Sequence, residues 1–229
     1  MKRLFWVGLT AFAMMMMATG CLDDTESPVQ YLELGRIGEL QTDVPVVITD
    51  SELILRIEEY SGDFDFENSQ RVLLKYEVIG EDTDKKSEGI TDTYDYAVKA
   101  LSVREVVTKD IVELNEENRD TIGTDPVFLN DIWLGGGYLN LEFTFYGNDK
   151  THYINVVKDP AQQNANPAEV HLQVRHDARD DDMTQRYRGL MSFHLDSVEV
   201  DNLSEVKLIF EEQAFYASPF TGFEIDYTY

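Results

Sequence analysis

The stretch from Asn130 to Gly147, NDIWLGGGYLNLEFTFYG, constrains the fold more than any other part of the chain. Leu139, Leu141 and Phe143 alternate with polar residues, which is the period of two of a strand with one apolar and one solvated face. Three glycines precede the alternating run, at a place where the chain must turn or another backbone must come close. The apolar face of such a strand must pack against a second apolar layer, so we expect this strand to lie at the core of a β domain.

Further strand patterns follow this segment to the end of the chain. Alternating or aromatic-rich runs predict strands at 152–157, 170–175, 190–195, 206–210 and 223–229. Their number and spacing predict an immunoglobulin-like β-sandwich over residues 124–229.

The region before it has a different strand spacing. Strands are predicted at 36–40, 44–49, 52–57, 71–79 and 94–107, with a hairpin turn at Asp50-Ser51 and an exposed polar loop at 80–92. Short strands without an internal helix predict a small OB-like barrel over residues 31–123. One short helix is predicted between the two domains, capped by Asn115 and ended by Gly123. The expected fold class is all-β.

The charge of the chain excludes one class of partner. There are 44 acidic and 19 Lys and Arg residues, and the formal net charge is -25. Phosphate backbones would repel such a protein, so we expect no nucleic-acid binding. The acidic residues are interpreted as forming a solvated surface, and a cation-binding surface is the alternative. The segment starting at Asp63 begins like a calcium loop but has Asn68 and Leu74 where glycine and glutamate are required; no metal or cofactor is expected.

The beginning of the chain predicts export to the cell envelope. Lys2 and Arg3 precede an apolar run over 4–18, and small residues at 18–20 come directly before Cys21, the single cysteine. This pattern predicts a signal peptide over residues 1–20 and resembles the lipobox of bacterial lipoproteins, in which the cysteine is acylated. Residues 21–30 would then form a tether. The alternative is an ordinary secretory signal followed by a buried thiol.

The residues after Cys21 bear on which membrane face the protein occupies. Leu22 is followed by Asp23-Asp24-Thr25-Glu26. This acidic tract resembles the signal that exports some lipoproteins to the outer face of the outer membrane. We therefore expect a lipid anchor in the outer membrane with display at the cell surface, and the periplasmic face is the alternative.

No catalytic constellation is visible in the sequence. The G-x-S-x-G, H-E-x-x-H and G-x-x-x-x-G-K-[ST] patterns do not occur. His171 and His176 are five residues apart on a predicted strand and should point to opposite faces. His152 and His194 lie on other predicted strands, and each is expected to be a surface or hydrogen-bonded residue. We therefore expect no catalytic and no metal-binding residues, and a protein that is not an enzyme.

Several motifs in one order resemble a known family. They are VTKDIVELNEEN at 107–118, IGTDPV at 122–127, DIWLGG at 131–136, YLN at 138–140 and LQVRHD at 172–177. Together they are similar to the NigD-like lipoprotein family of Gram-negative anaerobes. The resemblance implies an N-terminal OB domain and a C-terminal β-sandwich. It also implies a connection with a bacteriocin gene cluster, for which an immunity role was suggested, and it assigns no enzymatic residues.

The sequence is compatible with two classes of partner. The first is a protein, such as a toxin or an envelope protein, and a basic toxin would be steered by the acidic surface. The second is a glycan, with Trp133 and Tyr138 as the candidate stacking residues; the alternative for both is that they fill space at the domain junction. A hydrolase is a distant third and would need a cleft with two facing carboxylates.

Overall fold

The computed structural model describes residues 28–38, 44–81, 94–217 and 220–229. The predicted signal peptide, Cys21 and the acidic tract after it lie outside the described residues. The described part consists of fourteen β-strands and one 3-10 turn at Asp196–Val198, which confirms the all-β class. No helix in these ranges has the length and apolar character needed to cross a membrane.

The first five strands close into a barrel in the order β1-β2-β3-β5-β4. They are β1 (Gln30–Ile37), β2 (Val46–Thr49), β3 (Ile54–Tyr60), β4 (Arg71–Glu81) and β5 (Tyr96–Glu105). All neighbours are antiparallel except β3 and β5, which run parallel. Val47, Leu55, Val72, Leu74 and Val98 are fully buried in its centre. This barrel agrees with the OB-like prediction.

The remaining nine strands form a sandwich of two sheets. One sheet has the order β14-β13-β11-β10-β7 and the other has the order β6-β12-β9-β8. The bounds are β6 (Val107–Asp110), β7 (Val112–Glu113), β8 (Phe128–Gly135), β9 (Tyr138–Gly147), β10 (Tyr153–Lys158), β11 (Glu169–Asp177), β12 (Gln185–His194), β13 (Glu205–Phe210) and β14 (Phe223–Thr228).

Strand β9 is central to its sheet, as its sequence pattern predicts. Leu139, Leu141 and Phe143 face the second sheet and are buried in the sandwich core. Burying a side chain of this size contributes about 1.5 to 3 kcal/mol to the free energy of unfolding. The opposite face is only partly solvated, because Asn140 on that face has no exposed surface. The reason is that the barrel packs against it.

The connection between the domains differs from the prediction. β6 pairs in parallel with β12, and β7 pairs in parallel with β10. The sandwich sheets therefore begin at Val107, ahead of the predicted boundary after residue 123. The predicted boundary follows from the break at Thr124-Asp125-Pro126, and strands of four and two residues are too short for their alternation to be recognised.

The predicted short helix is wrong. Residues 116–121 form a succession of turns. Asn115 still acts as a cap, since its side-chain oxygen accepts from the N–H groups of Glu117 and Asn118 at 2.9 and 3.0 Å. Asn and Asp residues within the segment favour local side-chain hydrogen bonds over continued helix, and Gly123, with φ of 83°, ends the turns.

Two other strand predictions need correction. β1 begins at Gln30, so the predicted strand at 36–40 covers only its end. β8 was not predicted, and a bulge between Leu129 and Asp131 breaks its alternation. The hairpin at Asp50-Ser51 is confirmed, because β2 and β3 pair in antiparallel register on either side of it.

Candidate binding sites

A buried arginine joins the barrel to the sandwich. Arg71, the first residue of β4, donates from Nη1 and Nη2 to the two carboxylate oxygens of Asp50 at 2.5 and 2.6 Å. It also donates to Asn140 on β9 at 3.0 Å and to Ser192 on β12 at 3.2 Å. The Arg71 side chain is 1% exposed. A charge buried this far is tolerated because each of the three guanidinium nitrogens has a partner, and these partners come from both domains. We call these four residues the junction cluster.

The glycines before β9 allow the sandwich to approach this cluster. A Cβ atom on Gly135 would lie 2.6 Å from an oxygen of Asp50, and one on Gly136 would lie 2.4 Å from the other oxygen. Gly136 and Gly137 have φ values of 60° and 83°, as a two-residue hairpin turn requires. Both roles predicted for the glycines, turning and close approach, are therefore present.

Tyr138 belongs to the junction rather than to an exposed surface. Its ring packs against the guanidinium of Arg71, with 4.4 Å between the Arg71 Cζ atom and the ring centroid. Only 9% of the residue is exposed. This is the space-filling alternative that the sequence left open for Tyr138, and it leaves no free ring face for a sugar.

Beside the junction cluster is an interdomain cleft of about 750 Å³. One wall is the outside of the barrel, and the other is the outer face of the sheet β6-β12-β9-β8. Its apolar lining comes from Leu32, Leu34, Leu73, Val106, Trp133 and Leu190. Trp133 is half-buried, so the structure separates the two aromatic residues that the sequence grouped: Trp133 lines the cleft and Tyr138 lies in the junction.

The charged residues of the cleft are mostly engaged by one another. Asp50 is held by Arg71, and Glu142 is paired with Arg188. Burial raises the pKa of the Glu33 carboxyl, and the nearby Asp50 adds to the effect, against a hydrogen bond with Tyr76 that lowers it. Arg104 also lines the cleft and forms no ion pair within the described ranges.

The far end of the sandwich carries a second buried polar cluster. His152 Nδ1 lies 2.8 Å from His176 Nε2, and His152 Nε2 lies 3.1 Å from an oxygen of Asp181. His176 Nδ1 donates to the carbonyl oxygen of Pro126 at 2.9 Å. His176 can then only accept at Nε2, so His152 donates to it. We call His152, His176 and Asp181 the histidine cluster.

Ionisation in the histidine cluster is set by its surroundings. Burial of Asp181 works against its charge, but hydrogen bonds from Asn148 N–H, His152 and Asp149 N–H outweigh it and lower the pKa of this carboxyl. Burial lowers the pKa of His176, and the neighbouring His152 contributes, against the opposing effects of the Pro126 carbonyl, Asp125 and Asp177. The cluster therefore holds a carboxylate and a neutral His176 at neutral pH.

No imidazole nitrogen of this cluster is free to act on a substrate. All four ring nitrogens of His152 and His176 are hydrogen-bonded within the protein. The two imidazole rings stack with centroids 5.0 Å apart, and the His152 ring packs at a tilt against Phe145 with centroids 4.6 Å apart. In the described ranges, no group of three or more His, Cys, Asp or Glu side chains could hold a metal ion.

Four large side chains around the histidine cluster are exposed. Tyr146 and Tyr187 flank the loops 148–152 and 178–184 on the strands β9 and β12, Met183 lies in the second loop, and Tyr153 follows the first. They are 38%, 37%, 65% and 43% exposed, in that order. Tyr187 stacks on Phe145 and donates to the carbonyl oxygen of Asn148 at 3.0 Å. We call these four residues the distal patch.

Comparison with known families identifies the family of the chain. Residues 110–225 match the model of the NigD-like C-terminal β-sandwich domain. The chain therefore belongs to the NigD-like family, as the sequence motifs predicted. No curated protein shows significant similarity to it.

Solved structures share the two-domain architecture. A protein of unknown function from Bacteroides vulgatus is 19% identical, with a TM-score of 0.68 over 88% of this chain and 91% of its own. A protein described as toxin-related from Parabacteroides distasonis is 22% identical, with a TM-score of 0.67 over 87% and 94%. A NigD-like immunity protein from Bacteroides caccae is 20% identical, with a TM-score of 0.60 over 90% and 99%. At these identities the likeness concerns the fold.

Proposed function

We propose that this protein is a non-catalytic, lipid-anchored cell-envelope protein that binds another protein through its distal patch. The observation that carries the proposal is the exposure of Tyr146, Tyr153, Met183 and Tyr187 around two loops. Tyr and Met are enriched in protein interfaces and depleted from ordinary surfaces. Tyr is also among the residues that contribute most binding energy when buried by a partner.

The two loops beneath the distal patch are held together by hydrogen bonds, which favours binding. Asp181 accepts from the N–H groups of Asn148 and Asp149, and Lys150 donates to the carbonyl oxygens of Arg179 and Asp180 at 2.8 and 2.7 Å. These bonds tie the two loops together. A surface that is already ordered loses less conformational entropy when a partner binds.

The charge of the chain indicates the kind of partner. With a net charge of -25, the protein would attract a basic protein and repel an acidic one at long range. A basic toxin fits this requirement, and an immunity-like role would follow from binding it. Two of the similar structures are described as a toxin-related protein and a NigD-like immunity protein, and this agrees with the proposal.

The anchor is part of the proposal. Cys21 precedes Pro28, where the described structure begins, by seven residues, a reach of roughly 25 Å when fully extended. Acylation of Cys21 would hold the barrel near the outer membrane. We expect Cys21→Ser to release the protein from the membrane fraction; unchanged fractionation would exclude the lipid anchor. Proteinase digestion on intact cells would distinguish the cell surface from the periplasmic face.

The glycan alternative has less support. It needs Trp133 and Tyr138 as a shared exposed platform, but Tyr138 is stacked on Arg71 and only Trp133 borders open space. Three exposed aromatic side chains of the sandwich, Tyr146, Tyr153 and Tyr187, lie at the distal patch instead.

Site-specific photo-crosslinking on intact cells tests the proposed interface. A benzophenone amino acid would replace Tyr146 or Met183, and the same replacement at Glu116 is the control, because Glu116 is exposed and lies beyond the opposite end of β10. We expect a discrete protein adduct from 146 and 183 that is absent at 116 and weakens with added salt. Equal adducts from all three positions, or none at 146 and 183, would overturn the proposal.

A further inference from the structure

We propose that the interdomain cleft is a binding site for a small amphipathic carboxylate, an aliphatic chain that ends in one free carboxyl group. This inference does not depend on the distal patch, which lies at the other end of β9. It rests on the size, the lining and the charge of the cleft.

The cleft has the dimensions and the position of a small-molecule site. Its volume of about 750 Å³ falls within the range of ligand pockets, about 300 to 1,000 Å³, and such pockets concentrate at domain interfaces. Its two walls are held in place by the junction cluster, since Asp50 is both a wall residue and the partner of Arg71. A preformed site of this kind loses little entropy on binding.

The lining suits an aliphatic chain better than a sugar. Leu34, Leu73 and Val106 form the barrel side, and Leu190 and Trp133 form the sandwich side. Leu32 at the rim is 63% exposed, so apolar surface there is uncovered. Covering such surface contributes about 25 cal/mol for each Å² removed from water, a contribution that an aliphatic chain can make and a sugar hydroxyl cannot.

Arg104 supplies the charge that a carboxylate needs. It lies directly opposite Leu73 in the pairing of β4 with β5, so its aliphatic stem starts from the same sheet face as the apolar wall. The acids Asp50 and Glu142 are already paired with Arg71 and Arg188. The other two acids of the lining are Glu105, which is exposed, and Glu33, which is hydrogen-bonded to Tyr76.

The charge of the whole chain limits the ligand to one negative group. A net charge of -25 repels polyanions such as nucleotides and polyphosphates. One carboxylate can be neutralised by Arg104 locally, because a charge-assisted hydrogen bond to a guanidinium is strong at short range. The ligand class is therefore a monocarboxylate with an apolar body.

The chain contains its own reporter for this test. It has two tryptophans, Trp6 and Trp133, so a protein without residues 1–21 keeps every described residue and has Trp133 as its single tryptophan. Dodecanoate, kept below its micelle concentration, would be titrated against this protein by tryptophan fluorescence and calorimetry. We expect saturable binding of one molecule, with a blue shift of Trp133 emission.

Matched variants and probes make the result decisive. Arg104→Gln should weaken dodecanoate binding by about tenfold or more, equivalent to about 1.4 kcal/mol, while Arg186→Gln, an exposed arginine outside the cleft, should leave it unchanged. Dodecanol, which lacks the charge, should bind more weakly than dodecanoate and be insensitive to Arg104→Gln. The proposal is overturned by the absence of saturable binding, by equal effects of both variants, or by tighter binding of acetyl-trileucine with a free carboxyl end, which would assign the cleft to a peptide terminus.

Discussion

The two buried polar clusters of this protein are built from different chemistry. The junction cluster pairs the permanently charged Arg71 with Asp50 and places both against Asn140 and Ser192. The histidine cluster consists of two imidazoles, His152 and His176, beside Asp181. The first links two domains, and the second links two loops of one domain.

The difference indicates a division of roles. A guanidinium remains charged at every physiological pH, so the interactions of Arg71 that link the two domains do not depend on its titration. Burial lowers the pKa of His176, so acid should destabilise the cluster that holds the loops of the distal patch. Substitutions in each cluster test this division of roles separately.

The largest effect is expected at the junction. Arg71→Met removes the cation and leaves Asp50 without its partner, which should lower the free energy of unfolding by about 3 to 5 kcal/mol. Urea unfolding of the protein without residues 1–21 would measure it. Arg56→Met is the control, because its pair with Glu58 is partly exposed and such pairs contribute about 1 kcal/mol or less. Similar losses for both variants would contradict the role given to Arg71.

The second effect concerns the close approach of the β8–β9 turn. Gly136→Ala places a Cβ atom against Asp50 Oδ1 and also strains a residue with φ of 60°, so we expect a loss of about 2 to 3 kcal/mol. Gly137→Ala has the strain of its φ of 83° but meets nothing within 4 Å, and should cost about 1 to 2 kcal/mol. Thermal or urea unfolding of both would separate contact from strain. Equal losses would mean that the approach to Asp50 is unimportant.

The third effect is a pH dependence from the histidine cluster. Because the pKa of His176 is lowered in the folded protein, the unfolded chain binds more protons as pH falls. The stability that the neutral imidazole contributes is therefore present above the unfolded pKa of about 6.5 and is lost on acidification. Asp181, whose pKa is also lowered, keeps its charge until far lower pH.

His176→Phe isolates this contribution. The variant should be less stable at pH 7.5 by about 1 to 3 kcal/mol, because it leaves His152 without an acceptor. It should also lose less stability than the unmodified protein between pH 7.5 and 5. Urea midpoints at several pH values would show it. Parallel pH profiles for the two proteins would exclude His176 as the acid-sensitive group.

The smallest effect is expected in the turn between β7 and β8. Asn115→Ala removes the oxygen that accepts from Glu117 and Asn118, which should cost about 1 kcal/mol. Asn115→Asp keeps an acceptor and should restore most of the loss. If both substitutions behave alike in urea unfolding, the side-chain oxygen does not stabilise the turn.

The sequence predicted those strands and turns that a pattern in consecutive residues defines. The alternation of Leu139, Leu141 and Phe143 was sufficient for β9, and the hairpin at Asp50-Ser51 followed from its flanking strands. The wet face of β9 was predicted correctly as polar, yet Asn140 is buried because a separate domain covers it. Alternation within one strand cannot show which of its faces another domain will contact.

Both polar clusters depend on contacts between distant parts of the chain. Arg71 and Ser192 are 121 positions apart, and no local pattern connects them. His152 and His176 were treated as separate hydrogen-bonded residues, and only the antiparallel register that pairs Ile154 with His176 brings them together. Trp133 was identified as a candidate, but its separation from Tyr138 required the position of the barrel.

We infer that the distal patch binds a partner while the junction cluster stabilises the two domains. The most direct measurement compares capture of the crosslinked partner with the urea midpoint for Tyr146→Ser/Met183→Ser and for Gly136→Ala. We predict that the distal variant loses capture by about tenfold or more with an unchanged midpoint, and that Gly136→Ala lowers the midpoint but retains capture. Full capture by the distal variant would exclude the distal patch as the binding surface.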